Sequence, residues 1–171
     1  MKRVILQILI FFQFGLLLMG TETPFSNYVL FNIGRSKDAN EISYYINLKQ
    51  HGKLNEAKPI SIFWINRTNG NKQEPLSWIQ NKYSYGLNFL TKTSASAQFQ
   101  FVSHKKRTFV LKKNSKGTFS VFTISGEKEV EVNRIFIQID GGTFWFPKIS
   151  KVELHATIAG TNIKIIETIR P

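Results

Sequence analysis

Cysteine is absent from the chain, which excludes disulfide scaffolds, thiol nucleophiles, iron–sulfur clusters, Cys-ligated zinc and a lipid-modified N-terminal Cys. Carboxylates are scarce, with 11 Asp and Glu against 23 Lys and Arg and a formal net charge of +12. A glycosidase-type pair would have to be drawn from distant positions such as Asp38, Glu74 and Asp140. The three histidines, His51, His104 and His155, stand apart with no His-x-His or His-Glu-x-x-His spacing, so nothing calls for a metal. No Gly-x-Ser-x-Gly elbow, P-loop or dinucleotide fingerprint occurs, and no cofactor is expected. Asn66-Arg67-Thr68 is formally a glycosylation sequon, which would mean little if the host were bacterial. Internal repeats and low-complexity linkers are also missing.

Long hydrophobic runs are limited to one. After the positive Met1-Lys2-Arg3, residues 4–19 are apolar except for Gln7, Gln13 and Gly15. At about 1.5 Å per residue such a run spans roughly 24 Å, short of the roughly 30 Å hydrocarbon core. Residues 1–20 are therefore expected to be a signal peptide cleaved at Gly20-Thr21, the alternative being an uncleaved membrane anchor. Residues 21–171 then form a single domain, exported to the periplasm or beyond, whose charge falls to +10 once Lys2 and Arg3 are gone.

Aromatic residues are plentiful at 13%, which excludes a disordered chain. From Tyr28 onward the hydrophobic pattern has period two, the signature of strands with one buried face. In residues 41–48, Ile42, Tyr44, Ile46 and Leu48 alternate with Ser43, Tyr45 and Asn47. Residues 59–66 set Ile60, Ile62 and Trp64 against Ser61, Phe63 and Ile65, as in a strand covered on both sides. Glu74-Pro75 is expected to open one helix, with Leu76, Ile79 and Tyr83 as its buried stripe and Gly86 as its stop. Further strands are expected near residues 87–90, 97–103, 107–112, 118–124, 133–139, 149–158 and 163–169, punctuated by Gly and Asn turns. About nine short strands with one short helix predict an all-β, antiparallel β-sandwich, with a β-barrel as the alternative.

Five segments carry a resemblance: Phe31-Asn32-Ile33-Gly34-Arg35-Ser36-Lys37-Asp38-Ala39-Asn40, Glu74-Pro75-Leu76, Tyr83-Ser84-Tyr85-Gly86-Leu87, Phe101-Val102-Ser103-His104-Lys105-Lys106-Arg107, and Asn133-Arg134-Ile135-Phe136 through Phe144-Trp145-Phe146-Pro147. Together they resemble an uncharacterised family of small exported bacterial proteins, classed as a domain of unknown function. The resemblance implies export and one domain across nearly all of the mature chain, and it assigns no catalytic residue.

The charge is unevenly placed. Residues 75–126 contain no Asp or Glu but hold Lys82, Lys92, Lys105, Lys106, Arg107, Lys112, Lys113 and Lys116. Such a field attracts anionic lipid, lipopolysaccharide or an acidic glycan, and export weighs against nucleic acid. If residues 97–103 and 107–112 form a hairpin, the cluster splits into two ends about 20 Å apart. Within the first end, Lys105, Lys106 and Arg107 are candidate binding residues, with Arg107 suited to a bidentate grip. The alternative is a solvated basic rim.

Three other places are candidates. Residues 34–40 form a polar loop in which Arg35, Lys37, Asp38 and Asn40 could clamp a carboxylate or phosphate, or simply hold a turn. Trp145, after a Gly-Gly turn, could stack on a sugar ring, with core packing as the more ordinary use. His155 lies two residues from Glu153 on one strand face, as an acid–base pair or a solvent-facing one. The leading expectation is non-catalytic binding of an anionic or glycan ligand in the envelope. A hydrolase using Arg35, Asp38 and His155 is the alternative, followed by a structural partner of another envelope protein.

Overall fold

The computed structural model describes residues 28–143 and 147–170. The expected signal peptide and Trp145 lie outside the described residues.

Alternation produces strands wherever it occurs. The elements are β1 (Val29–Arg35), β2 (Asp38–Ile46), β3 (Ile60–Asn66), β4 (Lys72–Pro75), α1 (Trp78–Tyr83), β5 (Leu87–Lys92), β6 (Ala97–Phe101), β7 (His104–Lys113), β8 (Phe119–Ser125), β9 (Lys128–Gly142), β10 (Pro147–Ile158) and β11 (Lys164–Ile169). The described residues are all-β with one short α-helix, as expected, and hold eleven strands rather than about nine.

All the strands belong to one sheet, in the order β4-β3-β2-β1-β9-β8-β7-β6-β5, with β10 and β11 added beyond β9. The long strand β9 makes this possible. It pairs with β10 along residues 130–142, with β8 through residues 128–131, and with β1 through residues 134–137. Two branches therefore fork from it, β1-β2-β3-β4 and β8-β7-β6-β5. The expectation of a wholly antiparallel sheet is corrected at one place, since β1 and β9 run parallel, Asn32 beside Arg134 and Arg35 beside Ile137. Parallel pairing requires a long connection, and nearly the whole domain separates these two strands in sequence.

The branches curl around an aromatic core, so in place of the two stacked sheets of the expected sandwich there is one continuous curled sheet, a half-barrel nearer to the alternative. Phe31 of β1 stacks on Tyr44 of β2 at 4.4 Å, and both meet Phe101 of β6 edge-on at 6.2 and 5.8 Å. Phe99, Phe109, Leu111 and Val121 continue the cluster. Tyr44 is fully buried, and its hydroxyl donates to the Tyr85 carbonyl at 2.8 Å. Burial holds that phenol well above its ordinary pKa. The Tyr28 hydroxyl ties β1 to β8 by donating to the Phe119 carbonyl.

The helix starts later than expected and ends where expected, at Tyr83 before Gly86. Pro75 closes β4 opposite Phe63, and an edge strand tolerates its missing N–H. The helix instead starts at the Ser77 N-cap, whose Oγ accepts from the Gln80 amide while the Gln80 side chain accepts from the Ser77 amide. No residue of α1 is buried. Of the expected stripe only Leu76, before the helix, packs on the core, together with Tyr85 after it. Gly86 fixes the far end, because a Cβ there would lie 1.8 Å from the Asn81 carbonyl oxygen. The helical segment spans from β4 to β5, the two ends of the curled sheet.

Candidate functional site

The polar loop expected at residues 34–40 is a tight turn, since β1 runs to Arg35 and β2 begins at Asp38. Arg35 lies on the core side of β1, where its guanidinium pairs with Asp38 and stacks at 4.5 Å over Trp64. Its Nε is shielded and has no hydrogen-bond partner among the described residues. Asp38 caps the Asn40 amide at 3.0 Å, and the Asn40 side chain accepts from the Arg67 amide at 2.9 Å. Lys37 is exposed and, alone of the four, has no such tie among the described residues. Arg35, Asp38 and Asn40 are tied to one another and to neighbouring residues, which is the geometry of a clasp holding a turn.

His155 faces the other way. It lies beside Arg134 of β9, which lies beside Asn32 of β1, so it occupies the face of the sheet opposite to Arg35. Its Nε2 is 3.2 Å from Glu153, and Lys151 donates to the same carboxylate at 2.7 Å. The Lys151 and His155 contacts lower the Glu153 pKa, the lysine bond contributing most. Arg35, Asp38 and His155, the residues of the hydrolase alternative, are thus divided between two faces and do not converge.

The basic triad of β7 is also divided. Alternation turns Arg107 inward with Phe109 and Leu111, and its guanidinium makes two hydrogen bonds to Glu167 of β11. The bidentate grip expected for a ligand is taken by the protein's own carboxylate. Lys105 and Lys106 stay exposed with no ion pair among the described residues. Only residues 110–113 of β7 pair with β8, so these lysines also border an open backbone edge, where charge prevents edge-to-edge pairing. At the other end Lys112 pairs with Glu129, and Lys113 lies over the Phe119 ring.

A surface that sequence reasoning missed lies on the helix to which the β6–β7 tip is bound. Trp78, Ile79 and Tyr83 on α1 are 67%, 38% and 58% exposed. At 100° per residue they share one side of the helix with Lys82. The Lys82 ammonium sits 4.6 Å from the Trp78 ring centre and 5.1 Å from that of Tyr83. The β6–β7 tip is bound to the end of this helix, with the Val102 amide donating to the Gly86 carbonyl and the Ser103 hydroxyl to that of Ser84. His104, Lys105 and Lys106 follow on β7, two strand spacings from β5 or about 10 Å. The spacing of Trp78, Ile79 and Tyr83 was visible in the sequence. It carried no sign that the stripe points outward.

Fold and surface together define an all-β domain with an aromatic and basic corner, its aromatic side on a helix that buries nothing. The chain belongs to a family described as a domain of unknown function, DUF4833, whose model matches residues 31–168. No curated protein and no solved structure matches it.

Proposed function

We propose that this is an exported bacterial envelope protein that binds an anionic ligand without chemical conversion, through the corner formed by α1 and the β6–β7 tip. The observation that carries the reading is the gathering of exposed Trp78 and Tyr83 around Lys82 on α1, whose end is hydrogen-bonded to the β6–β7 tip that leads into exposed Lys105 and Lys106. Residues 75–126, which build this corner, contain no carboxylate, and Glu167, which reaches β7 from β11, is taken up by Arg107. The separation of Arg35 and Asp38 from His155 removes the convergence that the hydrolase alternative needs.

The test is binding to phosphatidylglycerol vesicles, lipopolysaccharide and an acidic polysaccharide at low and high salt. Affinity for at least one probe falls as salt rises, since exposed charges are screened over about 8 Å at physiological ionic strength. Replacing Lys105 and Lys106 with Ala weakens binding more than replacing Lys112, Lys113 and Lys116, because Lys112 is already paired with Glu129. Indifference of every probe to salt and to both variants would leave the lysines as a solvated rim and edge guard.

A further inference from the structure

We infer that the ligand is a membrane surface: α1 seats Trp78, Ile79 and Tyr83 in the interface of an anionic bilayer while Lys82, Lys105 and Lys106 meet lipid phosphates. This rests on the anionic-ligand reading above and narrows it to one class of partner.

Three observations select a bilayer over an acidic polysaccharide. First, sugar recognition by aromatic residues uses open, flat ring faces. Here the Trp78 and Tyr83 rings stand at 87° to each other, and the Lys82 ammonium lies over both, so no shared platform is offered. Second, the patch contains Ile79, which contributes nothing to a sugar contact but gains by leaving water for the acyl boundary. Trp and Tyr, each with an apolar body and a polar tip, are the residues enriched at that depth. Third, no residue of the helix belongs to the hydrophobic core, so seating its exposed side in a bilayer leaves the core closed. Lys82 extends from the same face, and its flexible stem allows the ammonium to rise to the phosphates while the rings stay below it. Each lysine near an anionic surface adds about 1 kcal/mol of attraction.

The helix is too short and too polar to span, and the described residues contain no helix long and apolar enough to cross a membrane. The geometry is that of a protein lying on a surface.

The experiment uses the protein as its own cells process it, with its N-terminus read by intact mass. Co-sedimentation is measured with phosphatidylglycerol and phosphatidylcholine vesicles, and tryptophan fluorescence with acyl chains brominated near the headgroup. Wild-type protein should sediment with the anionic vesicles, and the brominated lipid should quench its emission. The double variant Trp78→Ala, Tyr83→Ala should lose at least tenfold in vesicle affinity with an unchanged unfolding midpoint. Trp78→Phe should retain binding but lose most of the quenching, which assigns the signal to α1 among the three tryptophans.

Salt-dependent binding to acidic polysaccharide with no vesicle binding would overturn the bilayer inference and leave the anionic-ligand reading standing. Absence of binding to any anionic probe would overturn both. Vesicle binding that is equal in all variants, with quenching unchanged by Trp78→Phe, would place the contact elsewhere on the chain and overturn the role of α1.

Discussion

Arg107 of β7 and Glu167 of β11 join two strands that share no backbone ladder, through a two-bond guanidinium–carboxylate contact on the core side of the fold. Glu167 is held below the ordinary carboxylate pKa chiefly by hydrogen bonding to Arg107, against the opposing effect of burial. Its depressed folded value fixes the sign of the linkage. The contribution is fully present above the unfolded pKa of about 4.3 and is lost as pH falls through the lower folded value. Glu167→Gln should cost about 1 to 2 kcal/mol at pH 7, between the values for exposed and buried pairs. Denaturant titrations of both proteins from pH 7 to pH 3 check this. A difference that persists unchanged at pH 3 would show that the lost contact is not ionic.

This pair also shows where reading the sequence stops. Arg107 was recognised as a strong anion-binding group, but its carboxylate partner lies 60 residues away and no local pattern announces it. Period-two alternation made β2, β3 and most later strands legible, because each has one face that must leave water. It did not reveal β4, whose Lys72, Gln73, Glu74 and Pro75 lack apolar alternation and become a strand only by pairing along residues 63–66 of β3. The parallel contact of β1 with β9 was equally invisible, since register between distant strands is set by the assembled core. For α1, Ile79 and Tyr83 lie on the helix as their spacing predicts but on its exposed side, and only Leu76, before the helix, packs inward as expected. Periodicity reports that apolar groups share a side, and only the neighbouring elements decide whether that side is covered.

The core burial corrects one expectation about strand β3. Ile62 is half-buried at the margin of the cluster, whereas Ile42, directly across from Trp64, is completely buried among Phe31, Tyr44 and their neighbours. Ile42→Ala should therefore cost about 3 to 5 kcal/mol, and Ile62→Ala less, roughly 1 to 2 kcal/mol. Urea unfolding of the two variants measures both. Equal costs would mean that the face of β3 beside Ile62 is covered as completely as the centre.

Gly86 gives a sharper steric test. A methyl group at this position would lie 1.8 Å from the backbone oxygen of Asn81, with no flexible atom able to give way. Gly86→Ala should push the end of α1 from β5 and loosen the β6–β7 tip, which hangs on the Gly86 carbonyl. A loss of about 1 to 3 kcal/mol is expected for such overpacking. Amide exchange at Val102 should accelerate in the variant. An unchanged Val102 rate would separate the tip from the helix.

The last prediction concerns how α1 is held. The helix has six residues and buries none, so neither length nor packing stabilises it, and isolated helices this short do not form in water. What remains is local: the Ser77–Gln80 capping box at one end, and at the other the Ser84 and Tyr85 amides donating to the Gln80 carbonyl. Leu76 and Tyr85 anchor the flanks in the core. Ser77→Ala removes the cap, a change usually costing about 1 kcal/mol of helix stability. Because α1 contributes nothing to the buried cluster, that loss should appear as local opening and leave the global transition nearly in place. Exchange of the Gln80, Asn81 and Ser84 amides should speed by about fivefold or more, while the urea midpoint stays close to wild type. Anionic vesicle affinity should fall although no surface-contacting side chain has changed, since a frayed helix no longer holds Trp78 and Tyr83 together. A midpoint shift as large as that of Ile42→Ala would show instead that α1 unfolds with the core, and the helix would then be a structural brace.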